Sequence, residues 1–115
     1  MFGLFGSKGK RIRTFTPAEL SDYLHDIGGD CQLVDVREDN EWAGGHIPGA
    51  VHAPLSRFAE AAARLPKDKP VIFYCQGGVR SRRALDMAKD HGLNPEGHLG
   101  GGIAAWRDSG LPTTR

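Results

Sequence analysis

Residues 70–75, Pro-Val-Ile-Phe-Tyr-Cys, form a near-continuous apolar run of strand length. A strand that is apolar on both faces has to be covered on both faces, as an interior strand of a parallel sheet is. Gln32 to Val36 is a second short strand-like run, β-branched and ended by charged residues. Thr16-Pro17-Ala18-Glu19 reads as a capping box with proline at the first helical position, and Phe15 with Leu20 can form the hydrophobic staple around it. Leu20, Leu24 and Ile27 then share one helical face, Gly28-Gly29 supply the stop, and residues 12–15 fit a short first strand. His46 to His52 reads as a turn leading into a short strand, and Leu55 to Leu65 as a helix with Phe58, Ala62 and Leu65 on its face. Ser81 to His91 reads as a helix with Ala84, Leu85 and Ala88 inward, Arg82, Arg83, Asp86, Lys89 and Asp90 outward, and Gly92 as its C-cap. Strand, loop and helix alternate along the body, which predicts an α/β domain with a mostly parallel sheet and helices on both faces.

A chain of 115 residues fits one domain, taken here as residues 12–115 after a basic tail over 1–11. The net charge of +1 hides an asymmetry: Lys8, Lys10, Arg11 and Arg13 stand without an acid in the first 13 residues, leaving 11 basic against 14 acidic residues after them. The body therefore offers no general affinity for nucleic acid. The tail, which joins Phe2, Leu4 and Phe5 to those cations, reads as a disordered arm or as a weak membrane-surface anchor. Met1 to Gly6 is too short for a signal-peptide apolar region, and no run reaches the length of a transmembrane helix. Two cysteines, Cys31 and Cys75, make neither a disulfide framework nor a zinc-spaced cluster, so a reducing, cytoplasmic setting is expected.

Cys75 closes the apolar run, and beyond the carboxyl ends of the strands is where ligands sit in such sheets. It is either a nucleophile in an anion-holding loop or a buried thiol beside an ordinary turn. A free thiol with a pKa of ~8.5 is mostly protonated near neutral pH and needs a positive environment to react. Gln76-Gly77-Gly78-Val79-Arg80 can supply one: the glycines let backbone N–H groups turn inward as an anion nest, the following helix adds its N-terminus, and Arg80 adds a charge. Cysteine-dependent phosphatases use a Cys-x5-Arg loop that cradles a whole phosphate. Here the arginine falls at Cys-x4-Arg and Ser81 takes the place a phosphatase gives it, a tighter cradle better matched to a sulfane sulfur.

Three stretches then stand together: Val34-Asp35-Val36-Arg37 with Glu41-Trp42 and Gly45-His46-Ile47-Pro48-Gly49-Ala50; Phe73 to Ser81; and Gly101-Gly102-Ile103-Ala104-Ala105-Trp106 with Gly110-Leu111-Pro112. In that order and separation they resemble the single-domain rhodanese-like sulfurtransferases, over residues 12–112. The resemblance implies a rhodanese-like five-stranded, mostly parallel sheet and double-displacement sulfur transfer through a Cys75 persulfide, held by Gln76, Gly77, Gly78, Val79, Arg80 and Ser81. It implies no metal or organic cofactor. The partners are a small sulfur donor and a cyanide or thiol acceptor, with a sulfur-accepting protein as a further candidate. A carrier or sensor of sulfur that does not turn over is the alternative from another class, and a phosphatase or arsenate reductase is disfavoured by loop length. Thiosulfate-preferring members place Arg-Lys after the cysteine and mercaptopyruvate enzymes Gly-Ser/Thr-Gly; Gln76-Gly77 matches neither, so thiosulfate is expected to be a mediocre donor beside a glutathione or protein persulfide.

Asp35 and Arg37, at the end of a strand expected beside that of Cys75, are assigned to supporting the loop from beneath. His46 and His52 flank a turn and have no carboxylate at triad spacing, so turn hydrogen bonding is expected of them rather than base catalysis. Trp42 and Trp106 read as packing, and Cys31 as a small buried residue at a strand start.

Overall fold

A computed structural model describes residues 11–115. The expected tail therefore lies, apart from Arg11, outside the described residues. The elements run β1 (Arg13–Phe15), α1 (Pro17–Ile27), β2 (Gln32–Asp35), α2 (Asp39–Ala43), β3 (Val51–His52), α3 (Phe58–Ala62), β4 (Pro70–Tyr74), α4 (Val79–Ala88), β5 (Asn94–Leu99) and α5 (Gly102–Asp108). The strands form one sheet in the order β1-β5-β4-β2-β3 with every pairing parallel. The apolar run that ends at Cys75 is the central strand.

Strand alternation sorts the core into two halves. Val71, Phe73 and Cys75 point to one side, where they join Phe58, Ala84 and Ala88. Ile72 and Tyr74 point to the other, with Leu20, Ile103 and Trp106. The helical stripes predicted at Leu20 and at Ala84, Leu85 and Ala88 thus cover opposite faces of the sheet, as a strand apolar on both faces requires.

Local signals set the ends of the elements. Thr16 Oγ1 accepts from the Glu19 amide at 3.2 Å while Glu19 Oε1 accepts from the Thr16 amide at 2.9 Å, and the Gly28 amide closes α1 on the Leu24 carbonyl. α4 begins at Val79, two residues ahead of the expected start, because Gly78 at φ +107° ends the loop abruptly. The Leu55–Leu65 segment is broken instead into a 3₁₀ turn, Leu55–Arg57, and the short α3. β5 was not legible in the periodicity, since Pro95 and Gly97 both argue against a strand. It forms because the register with β4 skips Glu96, a bulge that accommodates the proline, and because Gly97 lets β1 approach closely.

The connection leaving β2 runs to β3 at one edge of the sheet and the one leaving β4 runs to β5 on the other side. Two neighbouring strands whose connections part in this way open a crevice at their carboxyl ends. Cys75 stands at that crevice.

Candidate active site

The sulfur of Cys75 occupies the position of a helix cap. The Ser81 amide, in the first turn of α4, donates to Sγ at 3.3 Å, and the Gly78 amide donates at 3.1 Å. First-turn amides have no partner within their own helix, so an anion at that place satisfies them and meets the positive end of the helix dipole. The thiol is in turn 3.6 Å from the Ser81 hydroxyl oxygen. Burial pushes the Cys75 thiol up, but the Ser81 hydroxyl and the amides of Ser81, Gly78 and Gly77 outweigh it and hold the group below the usual thiol value. Of the two readings of Cys75, a buried inert thiol would have the opposite shift. Cys31 has it: burial raises its pKa, and it lies in the core half opposite Cys75.

α5 forms the floor of the loop. Its first-turn amides donate to the loop's carbonyls, Ile103 to Cys75 at 2.9 Å and Ala104 to Gln76 at 3.2 Å. With the carbonyls drawn backward to α5, the loop's N–H groups are free to face the sulfur. Gly102, at φ +62°, permits the contact, since a Cβ there would lie 2.6 Å from the Cys75 carbonyl oxygen and closer still to the Gln76 carbonyl. The glycine pair and the Trp106 helix of the third motif thus shape the cysteine loop directly.

The charge of Arg80 is already matched. Its guanidinium makes a two-pronged pair with Glu41 of α2, at 2.7 and 2.9 Å. The Arg80 side-chain bond pulls the Glu41 carboxyl down to about 2. The charge that Arg80 brings to the loop is thus paired across the mouth with α2, and it still acts on the Cys75 sulfur. Asp35 and Arg37 act elsewhere than expected. Arg37, only 2% exposed, pairs with Asp35 at 2.8 Å and donates to the Gly45 carbonyl at 2.6 Å. Tyr74 Oη accepts from the Ile47 amide at 2.9 Å beside them. These groups pin the segment after α2, and among the described residues no side-chain hydrogen bond of Asp35 or Arg37 reaches the Cys75 loop. The reason is direction: Asp35 ends β2, and its chain continues away toward α2 and β3.

His52 Nε2 lies 2.6 Å from the Arg37 carbonyl and His46 Nδ1 3.4 Å from that of Trp42. Both rings stack on Trp42, His46 at a centroid distance of 3.6 Å and His52 at 4.8 Å. Trp106 is buried and donates to the Pro112 carbonyl at 2.8 Å. Gln76, Gly77 and Val79 form the exposed rim, with Val79 80% exposed. On one side of the loop, Glu38, Leu55, Ser56, Arg80, Arg83 and Met87 line an open cleft of about 390 Å³. On the other, Gly77, Gly78, Arg82, His98 and Gly101 line one of about 360 Å³.

Two residues of this constellation escaped assignment from sequence. Glu41 stands inside a recognised motif, but its partner lies 39 positions away. His98 is 3% exposed, with Nδ1 2.8 Å from Ser81 Oγ; a histidine between Gly97 and Leu99 in an obscured strand gave no signal beyond its own polarity.

A cysteine at the end of a central parallel strand, capping the next helix inside a six-residue Cys-x4-Arg loop, places a sulfur against two inward backbone amides. Residues 16–109 match the rhodanese-like domain family, and the chain belongs to it. A sulfurtransferase of Allochromatium vinosum is 39% identical over 83 residues, covering 72% of this chain and 78% of that protein. The probable adenylyltransferase/sulfurtransferase MoeZ of Mycobacterium tuberculosis is 45% identical over 95 residues, 81% of this chain, of which they make up only 24% of the relative. This chain thus spans about a quarter of that longer protein. Among solved structures, thiosulfate sulfurtransferase from Pseudomonas aeruginosa superposes with a TM-score of 0.78 at 29% identity, over 90% of this chain and 19% of that one.

Proposed function

We propose that the protein moves sulfane sulfur from a donor through a Cys75 persulfide to a nucleophilic acceptor. The Cys75 thiolate attacks the outer sulfur of the donor. A bond from Sγ to that sulfur forms, the donor's S–S bond breaks, and its electron pair leaves with sulfite from thiosulfate or with a thiolate from a persulfide donor. An acceptor such as cyanide or a thiol then attacks the outer sulfur, and the Cys75 thiolate departs as the leaving group. No general base is needed once the thiolate exists. The observation that carries this reading is the pair of amides, from Gly78 and Ser81, directed at Sγ. Such preorganised donors stabilise negative charge wherever it develops in the cycle.

Donor choice follows from the rim. Arg80 is paired with Glu41, so its guanidinium is not open to thiosulfate, while the adjoining cleft offers the apolar surface of Leu55 and Met87 together with the cation of Arg83 to a larger anionic persulfide. A glutathione or protein persulfide is therefore the preferred donor, and thiosulfate a poor one. Intact-protein mass spectrometry after exposure to a donor panel tests this. One added sulfur on Cys75 is expected from the persulfides at lower concentration than from thiosulfate, and no loading from any donor would overturn the reading. A dedicated sulfur carrier for a partner is the second reading, supported by the occurrence of a similar segment inside the longer MoeZ. Saturable turnover with small donors and acceptors separates the two.

A further inference from the structure

The Ser81 hydroxyl has one proton and three neighbours that compete for it: His98 Nδ1 at 2.8 Å, the Gly78 carbonyl oxygen at 3.2 Å and Cys75 Sγ at 3.6 Å. The tautomer of His98 decides the competition. With its proton on Nε2, the ring would take the Ser81 proton at Nδ1 and turn it away from the sulfur. That tautomer would also bury an N–H with no acceptor, because Nε2 has no hydrogen-bond partner among the described residues. With its proton on Nδ1, the ring donates to Ser81 Oγ and leaves only a lone pair unmatched at Nε2. A buried N–H lacking an acceptor is the rarer defect in proteins, so the surroundings favour the second arrangement. The hydroxyl proton is then free for Gly78 or the sulfur, and a thiolate is the stronger acceptor because it carries charge.

We propose that His98 is a positioning residue which, as the neutral Nδ1–H tautomer, turns the Ser81 hydroxyl onto the Cys75 sulfur and so stabilises the thiolate and the persulfide derived from it. His98 itself neither gains nor loses a proton: the thiol proton leaves to solvent, the imidazole proton stays on Nδ1 and the hydroxyl proton stays on Oγ. Burial, and after it the charge of Arg82 on α4, hold His98 below its ordinary pKa and keep the ring neutral. Around the ring stand Ser81, Gly78 and, on β1, Thr14, with Arg82 as its charged neighbour; Arg80, held by Glu41, is the charged group that acts on the sulfur itself. The role of the persulfide rests on the function proposed above, whereas the effect on the thiolate does not.

Nitrogen-15 NMR of the ring in the unmodified, reduced protein at neutral pH reads the tautomer directly. A protonated Nδ1 with a bare Nε2 is expected; a proton on Nε2, in either the neutral or the charged ring, would overturn the proposal. The pH profile of Cys75 alkylation by iodoacetamide, in a Cys31→Ser background, reads the consequence. His98→Leu should move the profile upward and slow alkylation about tenfold at a pH below its inflection, as expected for loss of a hydrogen bond to a charged sulfur. His98→Asn, whose amide N–H can replace Nδ1–H, should recover most of the rate. In a Ser81→Ala background, His98→Leu should add nothing further. An unchanged profile in His98→Leu, or losses that add to those of Ser81→Ala, would refute the proposal, and the NMR result decides it even where a variant does not fold. Alkylation needs no sulfur donor, so a protein that shows these shifts yet never loads sulfur would contradict the proposed function and not the role of His98.

Discussion

Gly102 is where the loop and its floor come closest, and replacing it by alanine tests whether that contact shapes the site. Two separate penalties are worked from the structure. A residue with a Cβ at φ +62° is strained by about 1–2 kcal/mol. The Cβ would also lie 2.6 Å from the Cys75 carbonyl oxygen and overlap the Gln76 carbonyl, where backbone on both sides leaves no flexible side chain to yield. Overpacking of that kind costs about 1–3 kcal/mol, so a total of about 2–5 kcal/mol is expected. Gly110→Ala is the control: φ is +77° and nothing lies within 4 Å, so only the strain of about 1–2 kcal/mol applies. Urea denaturation of both variants measures the difference, and iodoacetamide alkylation of Cys75 in the folded protein measures its effect on the loop. Gly102→Ala should lose the carbonyl bonds to Ile103 and Ala104 and with them the inward aim of the loop amides, slowing alkylation at neutral pH. Equal destabilisation by the two substitutions, with an unchanged alkylation rate, would refute the claim that α5 shapes the cysteine loop.

Cys75→Ser should abolish sulfur loading while keeping the fold, whereas Cys31→Ser should change turnover little because its thiol is raised in pKa and lies across the sheet; intact mass and thiosulfate:cyanide assays check both. Glu41 titrates at about 2 when folded, below its ordinary value of 4.5. Its pair with Arg80 therefore contributes fully above pH 4.5 and is lost as pH falls toward 2, an effect of about 1 kcal/mol or less at this half-exposed mouth. Glu41→Gln should flatten the acid end of the stability profile in that window, and an unchanged profile would contradict the pairing. The protein should not hydrolyse aryl phosphates at a useful rate, since its loop is a residue short for a phosphoryl group; efficient release of nitrophenol from its phosphate ester would show the loop-length argument to be wrong.

What the sequence by itself determined was everything set by neighbours along the chain. The capping box at Thr16, the apolar run ending at Cys75, and the glycines after it act over a few residues, so the α1 start, the central strand and the curled loop were readable from spacing. The three motifs added the family and the five strands. Tertiary structure decided which charges meet. Arg80 looked like a free cation because its partner Glu41 is 39 positions away, and Asp35 and Arg37 looked like loop supports because adjacency of β2 and β4 says nothing about where the chain turns next. β5 was hidden for a related reason: Pro95 and Gly97 lower its intrinsic strand tendency, and only pairing with β4 and β1 on either side offsets that. His98 rides on that strand, so its place beside Ser81 is fixed by sheet register, a property that no local pattern in the chain expresses.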